Sequence, residues 1–192
     1  IGLPNNQLTK EVVFKDENLA NSAMASIYRS LEEKGFLSGG GQGLNVYLGC
    51  LTDELLSYEN TTTDLSQLNT LSHNSESTWI LTLWKNTYNQ LYNINLVIEG
   101  LQKSTINNNV RERLLGEAYF LRGYLHLLLS ETFGKIPLAI TSDYTINRNL
   151  KRLDEKIVYE EIDKDLMLSL ARVPETLTKG NRVRVSKMAV YS

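Results

Sequence analysis

Along most of the chain, apolar positions recur every three or four residues, the period of an amphipathic helix, and five such stretches stand out. From about Asp16 to Lys34, Leu19, Ala23, Ile27 and Leu31 make one stripe, and Gly35 stands where a helix can end. A glycine-rich connector, Ser38 to Gly43, leads to a short amphipathic piece, Leu44 to Leu56. Residues 57–78 break the pattern: 13 of these 22 are Ser, Thr or Asn, which predicts a long polar loop. Ser77 to Glu99 restores it with Leu81, Trp84, Tyr88, Leu91, Asn95 and Ile98, and Gly100 is placed to close that helix. Asn109 with Glu112 fits a capping box for the next helix, which runs from Val110 to Phe133. That helix carries two stripes, Leu114-Ala118-Leu121-Leu125-Leu128 and Gly116-Tyr119-Gly123 with His126, so it is expected to pack on both sides, its glycines allowing close approach. Gly134 and Pro137 end it. Asp154 can cap a further helix to about Arg172, with Val158, Ile162 and Leu166 inside and Lys156–Glu160 and Glu160–Lys164 pairs outside. A last helix begins near Val185.

These elements predict an all-α fold of tetratricopeptide-like helical hairpins with long irregular loops, without a clean 34-residue repeat. The 192 residues suit one domain. The last helical pattern is still open at Ser192, which leads us to expect the front part of a longer chain.

Composition narrows the chemistry. Leu supplies 32 residues and Val 10, a bias toward helix. With 20 Lys+Arg against 22 Asp+Glu, bulk-charge binding of nucleic acid is excluded. No Lys or Arg lies between Lys34 and Lys85, so that stretch is poorly suited to phosphate or anionic lipid. One cysteine, Cys50, rules out an internal disulfide framework and reads as a small buried hydrophobe. The longest apolar run falls far short of the about 20 residues that cross a bilayer.

Two histidines leave little for catalysis or metal binding, and we expect no catalytic residue, no metal ligand and no cofactor. His126, inside a helix, reads as packed and hydrogen-bonded; His73 sits in the polar loop. A hydrolase using either would need a nucleophile, an acid pair or a metal set, and none is assembled. The glycine run matches neither the P-loop nor the G-x-G-x-x-G order, and the acidic residues of 154–165 have helical spacing without the mid-loop glycine of a calcium site. Trp79 is the residue of most interest. It stands where the polar loop enters a helix, near Tyr58, Asn60, Asp64 and Asn74. An aromatic face beside amide and carboxylate partners suits a neutral sugar, with C–H faces on the ring and hydroxyls on the polar groups. The same position would also let Trp79 simply pin the loop to the helix. Trp79, Tyr58, Asn60, Asp64 and Asn74 are thus the candidate ligand-binding set.

Four stretches resemble the N-terminal part of the SusD/RagB-like proteins, the outer-membrane nutrient-binding lipoproteins of Bacteroidetes. They are Ala23 to Leu31; Trp84, Tyr88, Leu91 and Asn95; Glu117 to Tyr124 followed by Phe133-Gly134-Lys135-Ile136-Pro137-Leu138; and Arg152, Val158-Tyr159, Ile162 and Asp165-Leu166 before Pro174, with Arg184-Val185-Ser186-Lys187 opening the next helix. Each is weak alone; their order and spacing are specific. Leu91 replaces the usual Ile, and Gly123 the usual Ala. The resemblance implies a non-catalytic protein that captures glycans or other nutrients and passes them to a SusC-like TonB-dependent transporter. It would be exported and held at the outer membrane only by a lipid anchor, absent from this chain. Arg122, Phe133, Gly134 and Pro137 are implied to shape the scaffold. The alternative is a helical interaction scaffold with no small-ligand site.

Overall fold

The helical periods are realised in a computed structural model that describes residues 10–40, 43–58, 64–72, 77–175 and 184–192. The described residues form nine helices: α1 Lys10–Val13, α2 Glu17–Glu33, α3 Leu44–Leu51, α4 Asp64–Asn69, α5 Thr78–Gln102, α6 Asn108–Phe133, α7 Tyr144–Asn147, α8 Glu155–Leu170 and α9 Lys187–Tyr191. No strand occurs among them, so the fold is all-α; an isolated antiparallel bridge joins Pro137 to Arg152. Two compact units result, one of Ile1–Ile27 with Leu91–Ser192 and one of Tyr28–Gln90.

The first unit is built on α6, which pairs antiparallel with α8. Gly116 lies against Arg172 and Val173, Gly123 against Asp165 and Ile162, and further along the Tyr159 hydroxyl donates to Glu131. The expectation that the two glycines admit a close neighbour is met: a Cβ on Gly116 would stand 2.8 Å from Val173 Cγ1. The C-terminal half of α5 packs on α6 too, with Gln102 donating to the Tyr119 hydroxyl at 3.0 Å. Leu91, Ile94, Leu101, Leu114, Leu125, Leu129 and Val158 are completely buried, each contributing about 1.5–3 kcal/mol.

A polar network runs through this apolar core. Arg122 donates to both oxygens of Asp165, at 2.7 and 2.6 Å, and to Asn95 Oδ1 at 3.0 Å. Asn95 in turn donates to the Ala139 and Thr141 carbonyls. Burial pushes the Asp165 carboxyl above the usual carboxylate range, and Arg122 pulls it back. His126 is also buried: Nε2 accepts from the Ala139 N–H at 3.3 Å, so Nδ1 carries the proton, directed at the Arg122 carbonyl 3.0 Å away. Glu117, fully buried, accepts from Arg113 and Arg184.

Several local expectations need correction. The polar stretch 57–78 contains α4, because Leu65 and Leu68 share a face and Leu68 is buried despite its Ser- and Thr-rich neighbours. Asn107, not Asn109, caps α6, accepting from the Asn109 N–H at 2.9 Å, while Glu112 is drawn off to Arg111 and Arg172. The short piece after Gly43 stops at Leu51 rather than Leu56. Lys164 pairs with Glu161 at 2.9 Å rather than with Glu160. In α5 the buried face before Leu91 is Leu83, Thr87 and Gln90, which leaves Trp84 and Tyr88 half-buried and stacked obliquely on each other.

Gly100 lies within α5 rather than after it, because the Phe14 ring fills the place of its side chain: a Cβ there would stand 2.0 Å from Phe14 Cδ2. Overpacking costs about 1–3 kcal/mol, against the roughly 1 kcal/mol that alanine gains over glycine in a helix. Gly100→Ala should therefore lower the midpoint of a urea titration. An unchanged or raised midpoint would mean that Phe14 gives way without cost.

Candidate functional site

The candidate ligand residues that can be placed all fall in the unit Tyr28–Gln90. Its base is polar. Gln90 Nε2 donates to the Ser30 and Lys34 carbonyls at 2.9 and 2.8 Å, satisfying the end of α2, where Gly35 takes a positive φ of 77°. Above this, Tyr47, Cys50 and Leu68 form a buried cluster, with Val46, Leu51, Leu65 and Trp79 packed against it. Cys50 is buried as expected.

Trp79 lies flat on Tyr47, the two ring planes 13° apart. One indole face is thus covered, and the residue as a whole is partly buried. Asp64 fixes the backbone beneath it. Its Oδ2 accepts from the Thr78 hydroxyl at 2.9 Å and the Trp79 N–H at 3.0 Å, so a carboxylate from α4 caps the start of α5. Burial, and next the Asp64 charge, push the Tyr47 hydroxyl pKa up, so this phenol stays protonated. Asn69 completes the frame, accepting from the Ser57 N–H and donating to the Cys50 and Leu55 carbonyls, each at 2.8 Å. That holds the segment carrying Tyr58, which projects 97% exposed.

The structure therefore brings Trp79 and Asp64 together, with Asp64 acting on backbone and hydroxyl donors, and leaves Tyr58 outward. Asn60 and Asn74 lie outside the described residues, as does His73. Tyr47 and Asn69 are the supporting residues that sequence reasoning missed. Tyr47's helical spacing to Cys50 and Leu51 was the only available signal, and Asn69, whose partners are backbone groups, had none.

Among the described residues no group of three or more His, Cys, Asp or Glu side chains is placed to hold a metal ion. His126, which burial drives down to a pKa of about 3, spends both nitrogens on backbone partners. A cavity of about 340 Å³ between α6, α8 and α9, walled by Phe120, Tyr124, Leu127, Ile162 and Leu166, is too apolar to satisfy sugar hydroxyls. No described helix is long and apolar enough to cross a membrane.

Packed helices, with Trp79 braced on Tyr47 at the start of α5, define an all-helical scaffold. The chain belongs to the SusD-like family: the family profile, described as starch-binding associating with outer membrane, matches residues 9–192. None of the curated proteins matches it. Similar solved structures include a SusD-like protein from Bacteroides fragilis (19% identity, TM-score 0.77, 99% of this chain and 36% of that one). Another is a SusD superfamily protein from Bacteroides vulgatus (21%, TM-score 0.75, 93% and 38%). A third is a laminarin-binding SusD-like protein (16%, TM-score 0.77, 92% and 38%). The chain spans little more than a third of the length of these structures, and at such identity the similarity is one of fold.

Proposed function

We propose that these 192 residues are the helical N-terminal region of a non-catalytic glycan-capture lipoprotein of the outer membrane, which hands its ligand to a SusC-like TonB-dependent transporter. Membership of the SusD-like family supports the class, and the laminarin-binding relative supports a polysaccharide ligand. The observation that carries the reading for this chain is Trp79: a partly buried tryptophan, braced on Tyr47 with its backbone capped by Asp64. It stands in the first turn of α5, within a 50-residue stretch with no Lys or Arg, 35–84. A rigid aromatic platform without competing cations suits neutral sugar rings, with Asp64, Tyr58, Asn60 and Asn74 as candidate hydroxyl partners. A glycan array probed with the longer protein tests this: binding of neutral oligosaccharides, without hydrolysis products, is expected. Absence of binding to any saccharide, or product release, would contradict it.

A further inference from the structure

We propose that the loop between α6 and α8, residues 137–152, is a preformed docking surface for an acidic, apolar-edged face of a partner protein; resting on the reading above, that partner is the transporter. The loop is closed at its base by the Pro137–Arg152 bridge, by the Leu153 N–H donating to the Ile136 carbonyl at 2.9 Å, and by the Lys135–Asp154 ion pair. The core holds its inner side tightly. Asn95 donates to the Ala139 and Thr141 carbonyls, Arg122 donates to the Ile140 carbonyl at 3.2 Å, and His126 accepts from the Ala139 N–H. Glu99 accepts from the Thr141 hydroxyl and from both the N–H and hydroxyl of Ser142, at 2.5–3.0 Å. Asn147 donates to the Thr141 carbonyl at 2.8 Å. Buried polar side chains are costly unless satisfied, and here several are directed at a single surface loop.

The outer side of this loop is what they hold in place. Ile140, Tyr144 and Ile146 are 43%, 73% and 52% exposed. Arg148, Lys151 and Arg152 are exposed and form no ion pair among the described residues. Tyr144 and Arg148 are one helical turn apart, joined by the Arg148 N–H donating to the Tyr144 carbonyl at 3.0 Å. The one acid among residues 140–152, Asp143, is used to cap α7 through the Thr145 N–H at 2.7 Å. Tyr and Arg beside aliphatics are the side chains that carry binding energy at protein interfaces, and three exposed cations with no ion pair among the described residues suit a partner of opposite charge. The fixed backbone decides between partners. Preorganisation lowers the ordering cost of meeting a surface with a defined register, whereas a fluid lipid surface has no register to match.

The test co-purifies the longer protein with the neighbouring transporter and measures the affinity of that complex. Reversing the three cations (Arg148→Glu, Lys151→Glu, Arg152→Glu) should weaken it at least about tenfold, through slower association and with loss of its salt dependence. Tyr144→Ala should weaken it about tenfold through faster dissociation, and a photo-crosslinker at position 144 should join the transporter. Both variants should melt at the wild-type temperature, since the altered side chains are exposed. A wild-type complex that neither variant weakens and that gives no crosslink at 144 overturns the proposal and leaves the functional reading standing. If the wild type forms no complex at all, the transporter reading itself fails. Wild-type binding to vesicles of phosphatidylcholine with phosphatidylglycerol that the cation reversal abolishes, with the transporter complex unaffected, would make the occupant a lipid surface and overturn the proposal.

Discussion

Asp165→Ala should remove about 3–5 kcal/mol of folding stability, the cost of leaving one partner of a buried ion pair alone. The Asp165 side chain is 1% exposed and the Arg122 side chain 8%, and the carboxylate takes two of the guanidinium's bonds. Without it a charge stays in the core with Asn95, the Ile140 carbonyl and the face of the Tyr119 ring to meet it. Urea unfolding measures the loss directly. Replacing both partners with apolar residues, Arg122→Met with Asp165→Leu, should recover most of it, because the stranded charge goes as well. A loss below about 1 kcal/mol in the single variant would show that the pair is not the internal brace of the scaffold.

The second large effect is a pH dependence from His126. Its folded pKa, about 3, lies well below the unfolded value near 6.5; desolvation is the main cause and the Arg122 charge adds to it. Between those values the unfolded chain takes up a proton that the folded protein refuses. The contribution is therefore whole above about pH 6.5 and is lost as pH falls, by about 2 kcal/mol at pH 5. Asp165 acts with the opposite sign, since burial raises its pKa. Unfolding free energies measured from pH 7.5 to 5 should fall along this slope, and His126→Asn should flatten it. A wild-type profile without the slope would mean that the imidazole accepts a proton in place.

The helices were largely legible because a 3.6-residue period needs only apolar spacing, and Gly35 and Gly134, with φ of 77° and 69°, stop them where expected. Where short-range signals compete, the reading slipped. α4 carries two leucines on one face among serines and threonines, too few to outweigh the polar composition. Gly100 reads as a helix end until Phe14, far back in the chain, is seen to occupy its missing side chain. Arg122 was implied to be structural, but nothing in the sequence points to Asp165 as its partner, because the pair forms only once α6 and α8 lie antiparallel. At the candidate site, Trp79 and Asp64 could be picked out as chemical types. Their mutual arrangement could not, because one Asp64 oxygen serves the start of α5 and Tyr47 supports the ring from another helix. Of the two alternatives for Trp79, the packing is the one the structure displays: the ring pins α3 and α4 to α5.

The central claim is that this partly buried tryptophan is the platform on which a glycan lands. Isothermal titration of the longer protein with its best neutral oligosaccharide, before and after Trp79→Phe and Trp79→Ala, tests it most directly. Stacking predicts an affinity at least about tenfold lower in Trp79→Ala and partly restored in Trp79→Phe, with helical content and melting temperature in the phenylalanine variant close to wild type. Unchanged affinity in Trp79→Ala would contradict the claim.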